Sequence, residues 1–190
     1  MKKRTAPRII SGSLKGLRLK SIPGNQTRPI TDRVKENLFN IIGSDIKGSL
    51  FLDAFAGTGS VGIEAMSRGA QYTVFIEKNY KPFLVLSENL ASTKMKDHYQ
   101  LIRTDAMTFL KKKTEKPHDY IFIAPPQYFG TWKFALSAID GNACIASSDG
   151  WIIVQIDPIE DEKTELTNFK EFDRRRYGST LLIFYEKTLI

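Results

Sequence analysis

The chain has one cysteine, Cys144, and two histidines, His98 and His118. A single cysteine excludes an intramolecular disulfide and any zinc site built from several thiolates. The two histidines flank segments that read as loops, so no metal is expected. No apolar run approaches the roughly 18 residues that cross a bilayer. The N-terminal stretch Met-Lys-Lys-Arg-Thr-Ala-Pro-Arg is charged and lacks the apolar region of a secretory signal. A reducing cytoplasm is therefore the simplest compartment, with no membrane partner. A further absence is local: residues 1–28 contain no acidic residue. They do hold Lys2, Lys3, Arg4, Arg8, Lys15, Arg18, Lys20 and Arg28. Such a segment reads either as a solvated basic tail or as a phosphate-contacting patch.

Against these absences stands a chain well able to form a core. It has 190 residues, 42% of them hydrophobic, and a formal net charge of +7. The length suits one domain or at most two. Residues 8–12 and 17–20 form two short runs around a glycine-containing loop, as in a small β-hairpin, and 23–26 carry a turn signal. Thr31 and Asp32 suit a helix start, Val34, Leu38, Ile41 and Ile42 recur at helical spacing, and Gly43 ends the pattern. From residue 49 onward, strands and helices alternate. Strands are expected over 49–52, 73–76, 100–103, 120–123 and 151–156, with helices over 60–68, 80–93, 106–112 and 132–139 between them. The chain then ends in two strands, 172–176 and 180–185, around a glycine turn. This rhythm predicts an α/β fold: a mostly parallel, seven-stranded sheet with helices on both faces and an antiparallel pair at one edge. A boundary near 28–32 would separate a small basic β-extension, 1–28, from one domain, 29–190.

The most informative stretch is 50–62, Leu-Phe-Leu-Asp-Ala-Phe-Ala-Gly-Thr-Gly-Ser-Val-Gly. A buried strand ends at Asp53 and runs into a glycine-rich turn that opens a helix. Glycines let a ligand approach the backbone closely, because they lack Cβ and tolerate positive φ. Gly57, Gly59 and Gly62 fit a dinucleotide fingerprint, and Glu77 follows Gly57 by 20 residues, where an acidic residue would meet a ribose. Two details argue against a nicotinamide enzyme. Asp53 puts an extra carboxylate where a pyrophosphate would sit, and Ala124-Pro125-Pro126-Gln127 closes the fourth strand with a turn of no evident use in hydride transfer.

Asp53, Glu77, Asp105 and Ala124 each follow an expected strand, so all four should meet at one sheet edge. S-adenosylmethionine, which carries an ammonium and a sulfonium but no phosphate, suits this set. Asp53 with Ala54 would balance the positive end, and the Gly57-Thr58-Gly59 backbone would approach the methionine and ribose. Glu77 would accept from the ribose hydroxyls. Asp105 would accept from the adenine amino group, while the Ala106 N–H donates to the ring. The plainer alternative makes these carboxylates strand-end caps, and Asp105 a helix N-cap.

At this point the chain resembles a known group. The Asp-Ala-Phe-Ala-Gly-Thr-Gly loop, the acidic end of the second strand and the Pro-Pro turn are similar to those of Rossmann-like methyltransferases. Further motifs, in order, are Arg8-Ile-Ile-Ser-Gly12 with Lys15-Gly16, then Arg28-Pro29 with 31–40, then 62–69, and Arg176-Tyr-Gly-Ser-Thr180. Together they resemble the RsmD type of 16S ribosomal RNA guanine-N2 methyltransferase. The resemblance implies methyl transfer from S-adenosylmethionine to the exocyclic N2 of a guanine in small-subunit rRNA, leaving S-adenosylhomocysteine. It also implies naked rRNA or a small-subunit particle as partner, a target base in a loop or flipped out, and a monomer that needs no metal.

In that family the turn after the fourth strand is usually Asp or Asn, then Pro-Pro, then an aromatic residue. The first side chain and a proline carbonyl accept from the amine, and the aromatic ring stacks on the base. Here Ala124 has no side-chain acceptor and Gln127 no ring. The expectation is that backbone carbonyls of Ala124 and Pro125 accept from the amine, Gln127 bonds a base edge, and Tyr128 stacks, while Arg8, Lys15, Arg18, Arg28 and Arg33 hold the phosphates. Two other readings remain open: a catalytically weak RNA-binding or ribosome-assembly protein, and a methyltransferase acting on a DNA amine or protein amide. The basic run Lys111-Lys112-Lys113 reads as a solvated helix end. On the edge strand, Arg174 and Arg176 should point together and Arg175 away.

Overall fold

A computed structural model of the chain describes residues 6–22, 30–114 and 116–188. The strands are β1 (Leu50–Asp53), β2 (Tyr72–Ile76), β3 (Tyr99–Ile102), β4 (His118–Ile123), β5 (Ala146–Ile156), β6 (Phe169–Tyr177) and β7 (Thr180–Lys187). They form one sheet in the order β3-β2-β1-β4-β5-β7-β6. Strands β1 to β5 pair in parallel, and β7 runs antiparallel to both β5 and β6. The helices are α1 (Asp32–Ile42), α2 (Ser60–Ser67), α3 (Tyr80–Thr93), α4 (Ala106–Leu110) and α5 (Thr131–Asp140). This is the expected α/β architecture, edge pair included.

The sheet is covered on both faces, which explains why its central strands are apolar throughout. Successive strand residues face opposite layers. Leu52, Val74, Ile76, Ile121 and Ile123 pack with α4 and α5 through Leu110, Trp132 and Leu136. Phe51, Tyr120 and Phe122 pack instead with Val34, Leu38 and Phe39 of α1, and Phe75 with Ile63 of α2 and Leu86 of α3. Thr31 caps α1 by accepting from Val34 N at 3.3 Å, and Gly43, at φ 69°, ends it. Buried His118 opens β4, and burial pushes its imidazole down to about 4. The sheet order reverses between β1 and β4, so a cleft is expected beyond their carboxyl ends.

Residues 6–22 make one antiparallel bridge, Arg8 to Arg18, where a hairpin is expected. They nonetheless pack tightly. Ile9 and Leu19 are buried in the cluster with Ile63, Phe75 and Leu86. Gly12 is at φ 85°, and a Cβ there would lie 1.8 Å from the Ser67 carbonyl oxygen, so only glycine lets the segment approach α2. The Glu64 carboxylate of α2 accepts from Ile10 N at 2.8 Å and Ser11 N at 3.0 Å. Asn89 of α3 joins the segment to the glycine turn: its amide oxygen accepts from Lys20 N at 2.7 Å, and its Nδ2 donates to Thr58 O at 2.9 Å. The turn expected over 23–26 and Arg28 lie outside the described residues.

Candidate functional site

Five strand ends meet at a cleft of about 520 Å³. Its lining includes Asp53, Ala54, Gly57 and Thr58 from the turn after β1, Glu77 after β2, and Asp105 and Ala106 after β3. Ala124, Pro125, Pro126, Gln127 and Tyr128 line it from the end of β4. The structure thus brings together residues spread over more than 70 positions of sequence.

Asp53 ends β1 and is 2% exposed. Its Oδ2 accepts from Gly62 N at 3.0 Å, in the first turns of α2. Burial raises its carboxyl to about 7, the Gly62 N–H opposes that rise, and the nearby Glu77 adds to it. Glu77 is engaged on both oxygens: Oε2 accepts from Gly57 N at 3.1 Å and Oε1 from Asn79 N at 2.7 Å. A carboxylate has further lone pairs, so these bonds fix its orientation and leave acceptor capacity towards the cleft. Asp105 caps α4, with Oδ1 accepting from Thr108 N at 3.2 Å, and Oδ2 meets Lys78 Nζ at 3.1 Å. The Lys78 hydrogen bond foremost holds Asp105 below the usual carboxylate range. The plainer reading of Asp105 as an N-cap is therefore realised, and the same cap aims the residue at the cleft.

The three candidate turn positions differ. Gly57, at φ 54°, has open space where a Cβ would stand, so its backbone is accessible. Gly59, at φ 79°, does not line the cleft; a Cβ there would lie 2.3 Å from Leu86 Cδ1. Its lack of a Cβ lets α3 close on the turn. Thr58 lines the cleft while its carbonyl is held by Asn89.

The turn after β4 ends in an unusual backbone. Tyr128 adopts φ 72°, a left-handed conformation that costs a non-glycine residue energy. The residue is 65% exposed, and its hydroxyl donates to Asp157 Oδ2 at 3.2 Å. Phe129 beside it is 75% exposed and also lines the cleft. An aromatic platform is thus offered to solvent at the rim.

Of the candidate phosphate contacts, Arg8, Lys15, Arg18 and Arg33 are exposed but none lines the cleft. Arg8 pairs with Asp32 at 2.7 Å. Among the described residues, Lys15, Arg18 and Arg33 make no ion pair. Ile22, the last described residue of the basic segment, and Ile30 line the cleft. The edge arginines are otherwise occupied: Arg174 meets Glu171 and Asp161, and Arg175 meets Asp173.

A model of the family described as Conserved hypothetical protein 95 matches residues 7–186. The chain belongs to this family. Two relatives give the family its character. A Bacillus subtilis protein named "Putative rRNA methyltransferase YlbH" is 35% identical over 182 residues, spanning 95% of this chain and 98% of the relative. A Buchnera aphidicola protein named "Ribosomal RNA small subunit methyltransferase D" is 40% identical over 139 residues, spanning 72% and 71% of the two chains. The solved structure "Putative methyltransferase yhhF" from Escherichia coli superposes with a TM-score of 0.85 at 30% identity, covering 96% of this chain and 98% of that one. The RsmD-type resemblance read from the motifs is therefore the family the chain belongs to.

Sequence reasoning missed several residues that line the cleft. Lys78 and Asn79 follow Glu77, and Thr104 precedes Asp105. Gln155 had its own signal: it is the one polar residue between Trp151 and Ile156, in a run that is otherwise apolar.

Proposed function

We propose that this protein transfers a methyl group from S-adenosylmethionine to the exocyclic N2 of a guanine in small-subunit (16S) ribosomal RNA. The observation that carries the reading is the convergence of Asp53, Glu77, Asp105 and the Ala124–Tyr128 turn on one cleft. The donor set fits a cationic nucleoside: carboxylates dominate, Gly57 is open to close approach, and the opposite wall is a Pro-Pro turn with exposed rings. The relatives' names support ribosomal RNA as the substrate.

In this reading Asp53 and Ala54 meet the positive end of the cofactor. Glu77, held by two backbone N–H groups, accepts from the ribose hydroxyls, and Asp105 with Ala106 reads the adenine edge. The cofactor supplies an electrophilic methyl carbon on a positively charged sulfur. Carbonyls at Ala124 and Pro125 accept from the amine, Pro126 shapes the turn, Gln127 meets a base edge, and Tyr128 stacks on the base. Catalysis is then positioning and electrostatics, without a titrating base. Arg8, Lys15, Arg18, Arg28 and Arg33 hold the RNA backbone, with residues 1–28 acting as a basic extension of the domain formed by 29–190. We propose a monomer that works in the cytoplasm without a metal. Among the described residues no helix is long and apolar enough to cross a membrane.

The test is mass spectrometry of rRNA nucleosides from cells with and without the gene, paired with the purified protein on rRNA and on small-subunit particles. Loss of one N2-methylguanosine, restored in vitro, is expected. An unchanged nucleoside profile, with no product in vitro, would sink the proposal.

The packing of 6–22 decides how RNA binding should be probed. Deleting the segment would expose the cluster around Ile9 and Leu19, each worth about 1.5–3 kcal/mol when fully buried. Charge removal at exposed positions is the cleaner probe. Lys15→Ala with Arg18→Ala should weaken RNA binding and reduce the slope of log affinity against log salt by about 1.4–1.8, with unchanged melting temperature. An unaltered slope would remove this segment from the RNA interface.

A further inference from the structure

Gln155 lies on β5 and is 8% exposed. It lines the same cleft as the Pro-Pro turn. Its amide oxygen is fully buried and has no hydrogen-bond partner among the described residues. A buried carbonyl without a partner is costly, and a half-turn of the terminal amide exchanges its two ends, which brings the oxygen to the cleft side where a donor from outside the protein can meet it. The register says where that donor would be. Ile123 of β4 stands beside Val154 of β5. The next residues are Ala124, just past the end of β4, and Gln155 on β5, so Gln155 adjoins the turn position that has no side-chain acceptor.

Other side-chain acceptors nearby have other partners or are assigned to the cofactor. Asp53 Oδ2 takes the Gly62 N–H, and in the proposed reading its carboxylate meets the cofactor's positive end. Asp157 takes the Tyr128 hydroxyl on one oxygen and Ile159 N on the other. Gln127 has an amide, but it sits beyond both prolines and is only half-buried. Gln155 combines burial, an unpaired acceptor and adjacency to Ala124.

Resting on the function proposed above, we infer that Gln155 supplies, from the neighbouring strand, the side-chain acceptor that Ala124 lacks, and takes an N–H bond of the target amine. In the transfer the amine nitrogen's lone pair forms a bond to the methyl carbon. The carbon–sulfur bond breaks and its electron pair stays on sulfur, leaving S-adenosylhomocysteine. The nitrogen, now positively charged, then releases one proton to water. Gln155 takes no proton. It orients the lone pair towards the methyl carbon, and its hydrogen bond strengthens as the nitrogen gains positive charge.

The test compares Gln155→Met and Gln155→Glu with wild type on rRNA. Gln155→Met should lower kcat about 10- to 100-fold, as expected for losing a charge-assisted bond. Calorimetric affinities for S-adenosylmethionine and for rRNA should stay within about twofold. Because the amide oxygen is unpaired in the free protein, the methionine variant should melt no lower than wild type. Gln155→Glu keeps two acceptors and should retain most of the rate. Ala124→Asn added to Gln155→Met should restore at least about tenfold, since either strand can present the acceptor. Wild-type turnover by Gln155→Met, or equal loss in Gln155→Glu, overturns the assignment while leaving the function intact. A lower melting point with lost cofactor binding overturns it too, marking Gln155 as structural. If wild type binds S-adenosylmethionine but methylates no amine, the proposed function fails, and this assignment with it.

Discussion

Replacing Glu64 by leucine should destabilise the protein by about 3–5 kcal/mol, which for a domain of this size lowers the melting temperature by roughly 6–20 °C. Glu64 is fully buried on α2, between Lys35 Nζ at 3.3 Å and Arg68 Nε at 2.8 Å. Lys35 is 1% exposed, and Arg68 15%. Lys35 Nζ also donates to Arg8 O at 2.7 Å. Burial holds the Lys35 ammonium below its usual range, against the pull of Glu64. Removing Glu64 strands that cation and leaves Ile10 N and Ser11 N without their acceptor. The loss should be largest in the basic segment, because these bonds attach it to α2. Thermal melting and hydrogen exchange at 8–20 read the result. Adding Lys35→Met should recover part of the loss, since the double variant buries no unpaired charge. Strictly additive losses would show that the two residues do not act as a pair.

None of this cluster was legible in the sequence, for a physical reason. The helix 60–67 is buried on every residue because the basic segment lies over its outer side. A helix with a solvent face would expose Glu64 and Lys35, and nothing in local periodicity shows that a distant segment covers them. The same cause misplaced a face of α1. The apolar spacing picks out Val34, Leu38, Ile41 and Ile42, whereas the buried face also includes Lys35 and Phe39, with Ile41 only half-buried. By contrast, the sheet was readable almost strand by strand. Its central strands are short apolar runs closed by turn residues, and parallel strands covered on both faces have no other pattern available. The polar residues after β1, β2 and β3 were readable for the same reason: a carboxylate that ends a buried strand has only the sheet edge to occupy.

What the sequence did not reveal was how each candidate is used. Gly57 and Gly59 look equivalent in a glycine motif, but one faces open space and the other faces Leu86. Asp105 was read either as a cap or as a ligand contact, and the cap geometry itself turns the residue to the cleft. Gln155 was hidden because its importance depends on which strand lies beside β4, and that neighbour, β5, comes more than 20 residues later. Chain order shows strand ends; only pairing shows which ends share a wall.

Asp53→Asn should weaken S-adenosylmethionine binding on the order of 100-fold at pH 8, and should also remove a pH dependence of binding that the wild type shows. The wild-type carboxyl titrates at about 7 because it is buried, against an ordinary value of 3.8. The sign follows from the protonated form being favoured in the folded, ligand-free protein. Between about pH 4 and 7 the native state binds a proton that the unfolded chain does not, so this group's contribution to stability falls as pH rises, by up to about 1.4 kcal/mol per pH unit. A cationic ligand favours the opposite form. Binding below pH 7 must first expel that proton, so affinity should drop by up to about tenfold for each unit below 7; above about pH 8 the ligand's own ammonium loses its proton, an effect that the Asp53→Asn series measures separately. Titration calorimetry from pH 5.5 to 8.5 in buffers of different ionisation enthalpy reads both the affinity and the proton released. Including S-adenosylhomocysteine locates the contact: it keeps the ammonium and lacks the sulfonium charge. An equal pH dependence for both ligands assigns Asp53 to the ammonium, and one confined to S-adenosylmethionine assigns it to the sulfonium. Flat affinity across this range for the wild type, or the same slope in Asp53→Asn, would mean that Asp53 shapes the turn through Gly62 without meeting the cofactor's charge.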